Sequence, residues 1–375
     1  MLLTDAPAIR LEEARSVDEL AGLEEAWREL QQQSTAAGVF GTFRWNQAVA
    51  RHHARNAELL VMLAESANRP VAVVPLARRR FLGMDTLVFL GSGLTDYSIA
   101  DYQDALLADR DVEEALDAIV TRLADESCDL LWLQDLPSSS RLLELLPEKL
   151  ERAGLRVRIT PGNDVHRVDL PGSWQDYLSG LSSSWRKEIV RKQRRFEAEH
   201  AGGYRLVHER REIEPAMQTL FELHTQRWNS AGAPGIFDTA EARAFYMDLA
   251  HSMYERDSLY LSLLETPDGP VGAGLGFDVG GTRYAYTYGY KPGPEWEKVS
   301  LGLLLDCLSI RTGIEAGLER VDLLRNEGAY KQRYGVVSDH NYELRAYRSR
   351  SAFVRDRAYW RLRAAARRVL KRGHA

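Results

Sequence analysis

Between Asp322 and Lys331 the chain reads Asp-Leu-Leu-Arg-Asn-Glu-Gly-Ala-Tyr-Lys. Glu327, Tyr330 and Lys331 place a carboxylate, a phenol and an ammonium just beyond an apolar run at 320–324. A carboxylate can take a proton, a phenol can return one, and an ammonium can hold a phosphate or carboxylate. Asp322 alternates with Val321 and Leu323, so it faces one side of a strand, and Arg325 is either its ion partner or a substrate ligand. His224, Arg227 and Trp228 recur at i, i+3, i+4 on a helical pattern; they either face a substrate or pack in the core. Tyr284, Tyr286, Tyr288 and Tyr290 alternate along a strand and are expected on one face. No Ser/His/Asp or Cys/His pairing is apparent, which favours direct transfer over a covalent enzyme intermediate. Cys128 and Cys307 stand 179 positions apart with no CxxC, so neither a disulfide framework nor a zinc site is read here.

These groups need a scaffold, and the scaffold is written twice. Residues 59–76 (LLVMLAESANRPVAVVPL) and 259–276 (LYLSLLETPDGPVGAGLG) align without a gap at an offset of 200. Each reads as strand, polar turn, strand. Each is followed by a further strand (86–90 and 284–290), a helix (111–125 and 301–317), another strand (129–135 and 320–324) and a late strand (155–159 and 342–347). Helical patterns at 17–33 and 213–228 open the two halves. A run rich in breakers, Pro161-Gly162-Asn163-Asp164, reads as the hinge between them. The expected division is 1–162, 163–348 and a basic tail, 349–375.

Composition sets the class. The 375 residues are 45% hydrophobic and 27% charged, an ordinary globular balance for about two domains. No run approaches a membrane span, and Asp5 interrupts the N-terminal leucines, so a cytoplasmic protein is expected. Between Arg348 and Ala375 lie ten basic residues and one acid, Asp356; this +9 leaves −14 on the rest of a chain of net charge −5. The helix from Trp185 (WRKEIVRKQRRF) is also basic.

The segment Tyr286-Thr-Tyr-Gly-Tyr-Lys-Pro-Gly-Pro, then Val299-Ser-Leu-Gly-Leu-Leu, then the 322–331 run, with Leu223-His224-x-x-Arg227-Trp228 and the Trp185 helix upstream, is similar to the CelD-like acetyltransferases associated with polysaccharide synthesis. These are relatives of the Fem-type ligases within the GNAT superfamily. The resemblance spans about residues 15–348. It implies an α/β (α+β) fold of tandem GNAT-like domains, each a mixed, mostly antiparallel sheet flanked by helices. It also implies an N-acyltransferase moving an acyl group from acyl-CoA, acetyl-CoA first, to an amine on a sugar or cell-envelope precursor. A Fem-like aminoacyl-tRNA donor, or a non-catalytic module of a polysaccharide-synthesis complex, are the alternatives.

In that fold the sheet parts between its fourth and fifth strands, the donor arm enters the gap, and the next helix's N-terminus binds pyrophosphate. The donor contacts implied here are Tyr288, Lys298, Ser300, Leu301 and Gly302, with Ser300 as a cap. The Lys298-Val-Ser-Leu-Gly302 loop has one glycine where the usual GNAT loop has two small residues. Glu327, Tyr330 and Lys331 are the implied catalytic set, and His224, Arg227, Trp228 and Arg325 the acceptor contacts. The first half has no such loop; Asp96 and Tyr97 would face the acceptor cleft or simply form a surface loop. No metal is expected. Phe353 to Arg372 reads as a basic helix with Val354, Ala358, Leu362, Ala365 and Val369 as its apolar stripe. It suits an anionic membrane surface, placing the protein peripheral to the inner membrane, or docks on the acidic body.

Overall fold

The computed structural model describes residues 8–34, 38–54, 57–93, 99–325 and 329–372. They form two compact units, Met1–Gly162 with His340–Ala375, and Asn163–Asp339.

In chain order the first segment carries β1 (Ile9–Ala14), α1 (Val17–Gly22), α2 (Glu24–Gln33), α3 (Phe43–His52), β2 (Glu58–Ser66), β3 (Arg69–Phe81), β4 (Met84–Phe89), β5 (Leu106–Leu107), α4 (Val112–Asp125), β6 (Leu130–Leu136) and α5 (Arg141–Arg152). The strand β7 (Arg156–Asp169) follows. Then come α6 (Trp174–Gly180), α7 (Ser183–His200), β8 (Gly203–Leu206), α8 (Arg210–Ser230), α9 (Ala240–Tyr254), β9 (Leu259–Thr266), β10 (Gly269–Val279), β11 (Thr282–Tyr290), α10 (Pro294–Val299), α11 (Leu301–Glu315) and β12 (Arg320–Arg325). A 3-10 turn (Ala329–Tyr334), β13 (Val337–Tyr347) and α12 (Arg350–Arg372) close the chain. Side-chain oxygens of Ser or Thr cap α1, α3, α5, α6, α7 and α9, which is why these helices begin where they do.

The two sheets repeat one plan. The first runs β1-β2-β3-β4-β6-β13, with β5 on β3; the second runs β8-β9-β10-β11-β12-β7. In each, the fourth and fifth strands are parallel, β4 with β6 and β11 with β12, and the other neighbours are antiparallel. The repeat extends to the backbone. Asp111 and Ser300 both precede the following helix in a left-handed conformation, at φ 51° and 62°. Asp135 and Leu324, at φ 56° and 60°, occupy matching places late in the fifth strand. The mostly antiparallel tandem plan read from the sequence is the plan observed.

The last strands differ from that reading. Residues 342–347 pair with β6 and so complete the first unit's sheet, while residues 165–169 pair with β12 and complete the second. The division therefore places 340–348 with the first unit, where the sequence reading placed 163–348 together. The expected hinge at 161–164 is strand, inside β7. A Cβ on Gly162 would meet the Asn341 carbonyl oxygen at 3.2 Å, so the glycine there serves close strand approach instead of a turn.

The tail is not a separate segment either. Phe353, Tyr359 and Trp360 of α12 pack with Ala352 against Phe81, Met84, Trp132 and Tyr347. Asp356 is fully buried, accepting from Tyr347 Oη at 2.7 Å and Trp360 Nε1 at 2.9 Å. Val354, Ala358, Leu362 and Ala365, read from the sequence as the apolar stripe, are all exposed, and the helix docks through a different face. Three aromatic rings on the other face carry more apolar area than those aliphatics, and they decide which face turns in.

In the second unit α8 lies on β11 at its closest at Gly289, where a Cβ would stand 2.4 Å from His224 N and 2.8 Å from Leu220 O. Both obstacles are helix backbone and cannot rotate away. Gly289→Ala is expected to destabilise by about 1–3 kcal/mol, read as a lower midpoint in denaturant or heat. An unchanged midpoint would mean α8 can lift from the sheet freely.

Candidate active site

The site is built where β11 and β12 part. Their parallel register among the described residues is Thr282↔Arg320, Arg283↔Val321 and Tyr284↔Asp322, while β11 continues to Tyr290 and β12 to Arg325. A bulge in β11 opposite Leu275 and Gly276 reverses the alternation halfway along. The four tyrosines therefore do not share a face. Tyr286 bonds Tyr246 Oη of α9 at 2.8 Å, whereas Tyr288 and Tyr290 pack toward Leu301, Leu304 and Leu305 of α11. Gly274 makes room for the Tyr288 ring, which a Cβ there would meet at 3.0 Å.

Asp306, on the second turn of α11, is a buried acid that sequence reading passed over. It is buried, and Tyr334 Oη donates to its Oδ2 at 2.9 Å. Burial pushes the Asp306 carboxyl up to about 6, opposed by the Tyr334 hydrogen bond and by the charges of Lys331 and Arg227. Tyr288 also brings its buried hydroxyl near this carboxylate, short of ordinary hydrogen-bond geometry. Tyr334 is held in turn: Tyr177 Oη donates to its carbonyl at 3.1 Å, and the Trp185 ring meets its ring edge-on at 5.8 Å. The signal in the sequence was a lone acid inside an apolar helix, Leu-Gly-Leu-Leu-Leu-Asp306-Cys-Leu. A buried acid there has to be partnered or functional.

Tyr330 is 47% exposed at the same place, and its ring lies 6.3 Å from that of Tyr334. Burial of its hydroxyl end, then the Asp306 charge, push Tyr330 up to about 12, so it remains a proton donor at neutral pH. Arg227 stacks on the Tyr290 ring at 4.6 Å and over Trp228 at 5.4 Å, which places a cation at the end of β11. Lys331 is buried and donates through Nζ to the carbonyls of Leu323 at 2.6 Å and Leu324 at 3.2 Å, tying down the end of β12. Arg325, half-buried, ends that strand opposite Val165. His224 is 2% exposed among Phe237 and Trp228; burial, then the neighbouring Arg227, lower it to about 4, so it is neutral. Glu327 lies outside the described residues, as do Asp96 and Tyr97.

The start of α11 is open to an anion. Its N-cap, Ser300, makes no side-chain cap and donates instead to the Glu297 carbonyl at 3.2 Å, so the expected Ser300 cap of α11 is absent. The first turn carries no acid. Its first amides therefore have no partner in the helix or the cap, and the macrodipole adds positive potential. Leu301 is buried, and Gly302 sits against the Tyr290 ring, where a Cβ would be 3.2 Å away. Lys298 is exposed; its carbonyl accepts from Lys192 Nζ at 2.6 Å, so part of the basic face of α7 stitches α10 in place. In the first unit, the matching α4 starts with Glu113 and Glu114. The space beneath it is lined by Val74, Leu76, Leu116, Leu131, Leu133 and other aliphatics. That packing and that charge repel a phosphate.

Among the described residues no group of His, Cys, Asp or Glu is placed to hold a metal ion, and no helix is long and apolar enough to cross a membrane.

Residues 183–332 match the sequence model of an acetyltransferase (GNAT) domain. Among solved structures the fold is similar to that of FemX, with a TM-score of 0.60 and 9% identity over 86% of this chain and 95% of that one. It is similar to the structure of L-PGS from Bacillus licheniformis, with a TM-score of 0.52 and 11% identity over 88% of this chain and 92% of that one. The C-terminal domain of a putative lysylphosphatidylglycerol synthetase from Agrobacterium fabrum gives a TM-score of 0.52 and 11% identity over 89% and 94%. No curated protein matches the chain by sequence.

Proposed function

We propose, from the match of residues 183–332 to the sequence model of an acetyltransferase (GNAT) domain, that the second unit transfers an acyl group from acyl-CoA, acetyl-CoA first, to an amine. The amine would be on a sugar or cell-envelope precursor. The observation that carries the reading is the buried Asp306 carboxyl, raised to about 6, where β11 and β12 part.

A group with that affinity is ionised at neutral pH yet basic enough to take the proton that the amine nitrogen sheds as it attacks. The amine nitrogen attacks the thioester carbonyl, its proton passes to Asp306, and the carbon–sulfur bond breaks as the tetrahedral intermediate collapses. Tyr330 returns a proton to the departing thiolate. Tyr334 and Lys331 hold Asp306 and the β12 end in place and keep the carboxylate from rising further. The phosphates of the donor sit at the α11 N-terminus, with Gly302 allowing close approach and Lys298 adding charge. Arg227 at the end of β11 favours an acceptor carrying negative charge.

A second reading has a specific observation behind it. The fold likeness to FemX and the exposed basic residues of α7 suit an aminoacyl-tRNA donor at the same cleft. A thermal-shift titration separates the two. Acetyl-CoA at one hundred times its Kd should stabilise by about 2.7 kcal/mol. A shift with aminoacyl-tRNA and none with acetyl-CoA would replace the first reading by the second.

A further inference from the structure

Helix α12 has nine basic residues and one acid. The fold turns that acid inward: Asp356 is fully buried between Tyr347 Oη, Trp360 Nε1 and, at 3.6 Å, the guanidinium of Arg345. Its charge is spent inside the first unit, and through residue 366 the outward face presents arginines and no carboxylate. Among the exposed positions are Arg355 and Arg361, flanking a ridge of Val354, Ala358, Leu362 and Ala365 at helical spacing. Val354 is 54% exposed and Leu362 72%, although the helix has just buried three aromatic rings on its other side. The helix backbone continues to Arg372, well past the last docked ring at Trp360.

We infer that the outward face of α12 is a docking surface for an anionic lipid bilayer. Both halves of the face fit that occupant. An aliphatic ridge between arginines enters the boundary of headgroups and acyl chains, while the guanidinium groups stay with the lipid phosphates and their stems cover apolar surface. A nucleic acid would satisfy the charge and leave the ridge unused. A second copy of α12 would oppose arginine to arginine. The ridge is short, so attachment is reversible and depends on charge.

The test is flotation of the full-length protein with vesicles of phosphatidylglycerol in phosphatidylcholine. Binding is expected at low salt, none to phosphatidylcholine alone, and none at about 1 M salt, where the Debye length is ~3 Å. Arg355→Gln with Arg361→Gln should weaken binding about thirtyfold, at about a fivefold step per charge near an anionic surface. Val354→Ser with Leu362→Ser should weaken it further and independently. These side chains lie apart from the docked aromatics, and Arg355 makes only an exposed 3.4 Å bond to the Leu82 carbonyl, so each variant should melt near the parent temperature. Vesicle binding that ignores both double variants overturns the inference. So does a charge variant that loses duplex RNA binding equally while the serine variant binds vesicles normally, since that pattern belongs to a polyanion without a bilayer.

Discussion

Asp306→Asn is expected to lower kcat by a factor of about 10²–10⁴, the range for losing a positioned general base. Asparagine keeps the acceptor for Tyr334 Oη and the volume, so donor binding should persist. In the unsubstituted enzyme the rate should fall as pH drops through about 6, where Asp306 takes up its proton, and the variant should lose that limb of the profile. Stability supplies an independent readout. The folded state holds the Asp306 proton more tightly than the unfolded chain, so between about pH 4 and pH 6 the native state binds more protons. Stability is then lost as pH rises through that window. By pH 8 the buried charge costs about 3 kcal/mol, and Asp306→Asn should melt higher than the parent there and similarly at pH 4. A variant of unchanged kcat would move the base to Glu327, and Glu327→Gln is the substitution to make next. A variant that is inactive and also melts lower at pH 8 would show that Asp306 is structural.

Gly302→Glu is expected to abolish measurable donor binding, a loss of about a hundredfold or more if two charge-assisted phosphate contacts are replaced by repulsion. The new carboxylate would stand at the open N-terminus of α11, where it takes the amides meant for phosphate. Gly302→Ala is the companion. Its Cβ meets the Tyr290 ring edge at 3.2 Å, a crowding that a few tenths of an ångström relieves. Alanine should therefore bind the donor within about tenfold of the parent and glutamate should not, with both variants melting near the parent temperature. Equal loss in both would assign the effect to Tyr290 displacement and leave the phosphate site unlocated.

The strands of the hairpins, the strands at 284–290 and 320–324 and α11 were legible because their patterns are local: alternation, turn residues and helical spacing. What escaped depends on distant partners. Residues 155–159 and 342–347 were rightly read as strands, yet nothing in either names the sheet it joins. The Tyr284–Tyr290 alternation is intact in sequence and is broken by one bulge that only the pairing with β10 reveals. Helix α12 showed one aliphatic stripe at helical spacing, and Trp132 and Phe81, more than two hundred residues away, draw its aromatic face inward instead. Asp306 was hidden by its own surroundings, because an acid within leucines reads as an interruption of a core helix until Tyr334 is placed beside it. Lys331, read from sequence as a catalytic group and a holder of substrate anions, turned out to spend its ammonium on two strand carbonyls.

The exchange of closing strands sets an order of biosynthesis. A ribosome that has made the first 162 residues has made β1 to β6, yet once β6 emerges it keeps a bare edge until residues 342–347 follow. The second unit meets no such delay, since its closing strand at 165–169 precedes every other strand it needs. The unit holding Asp306 can thus mature while the chain is still being lengthened, and the unit begun first is finished last. For most of translation the nascent chain carries an unpaired strand edge, the feature that invites wrong partners, and the segment that ends this exposure is continuous with the helix that carries the arginines.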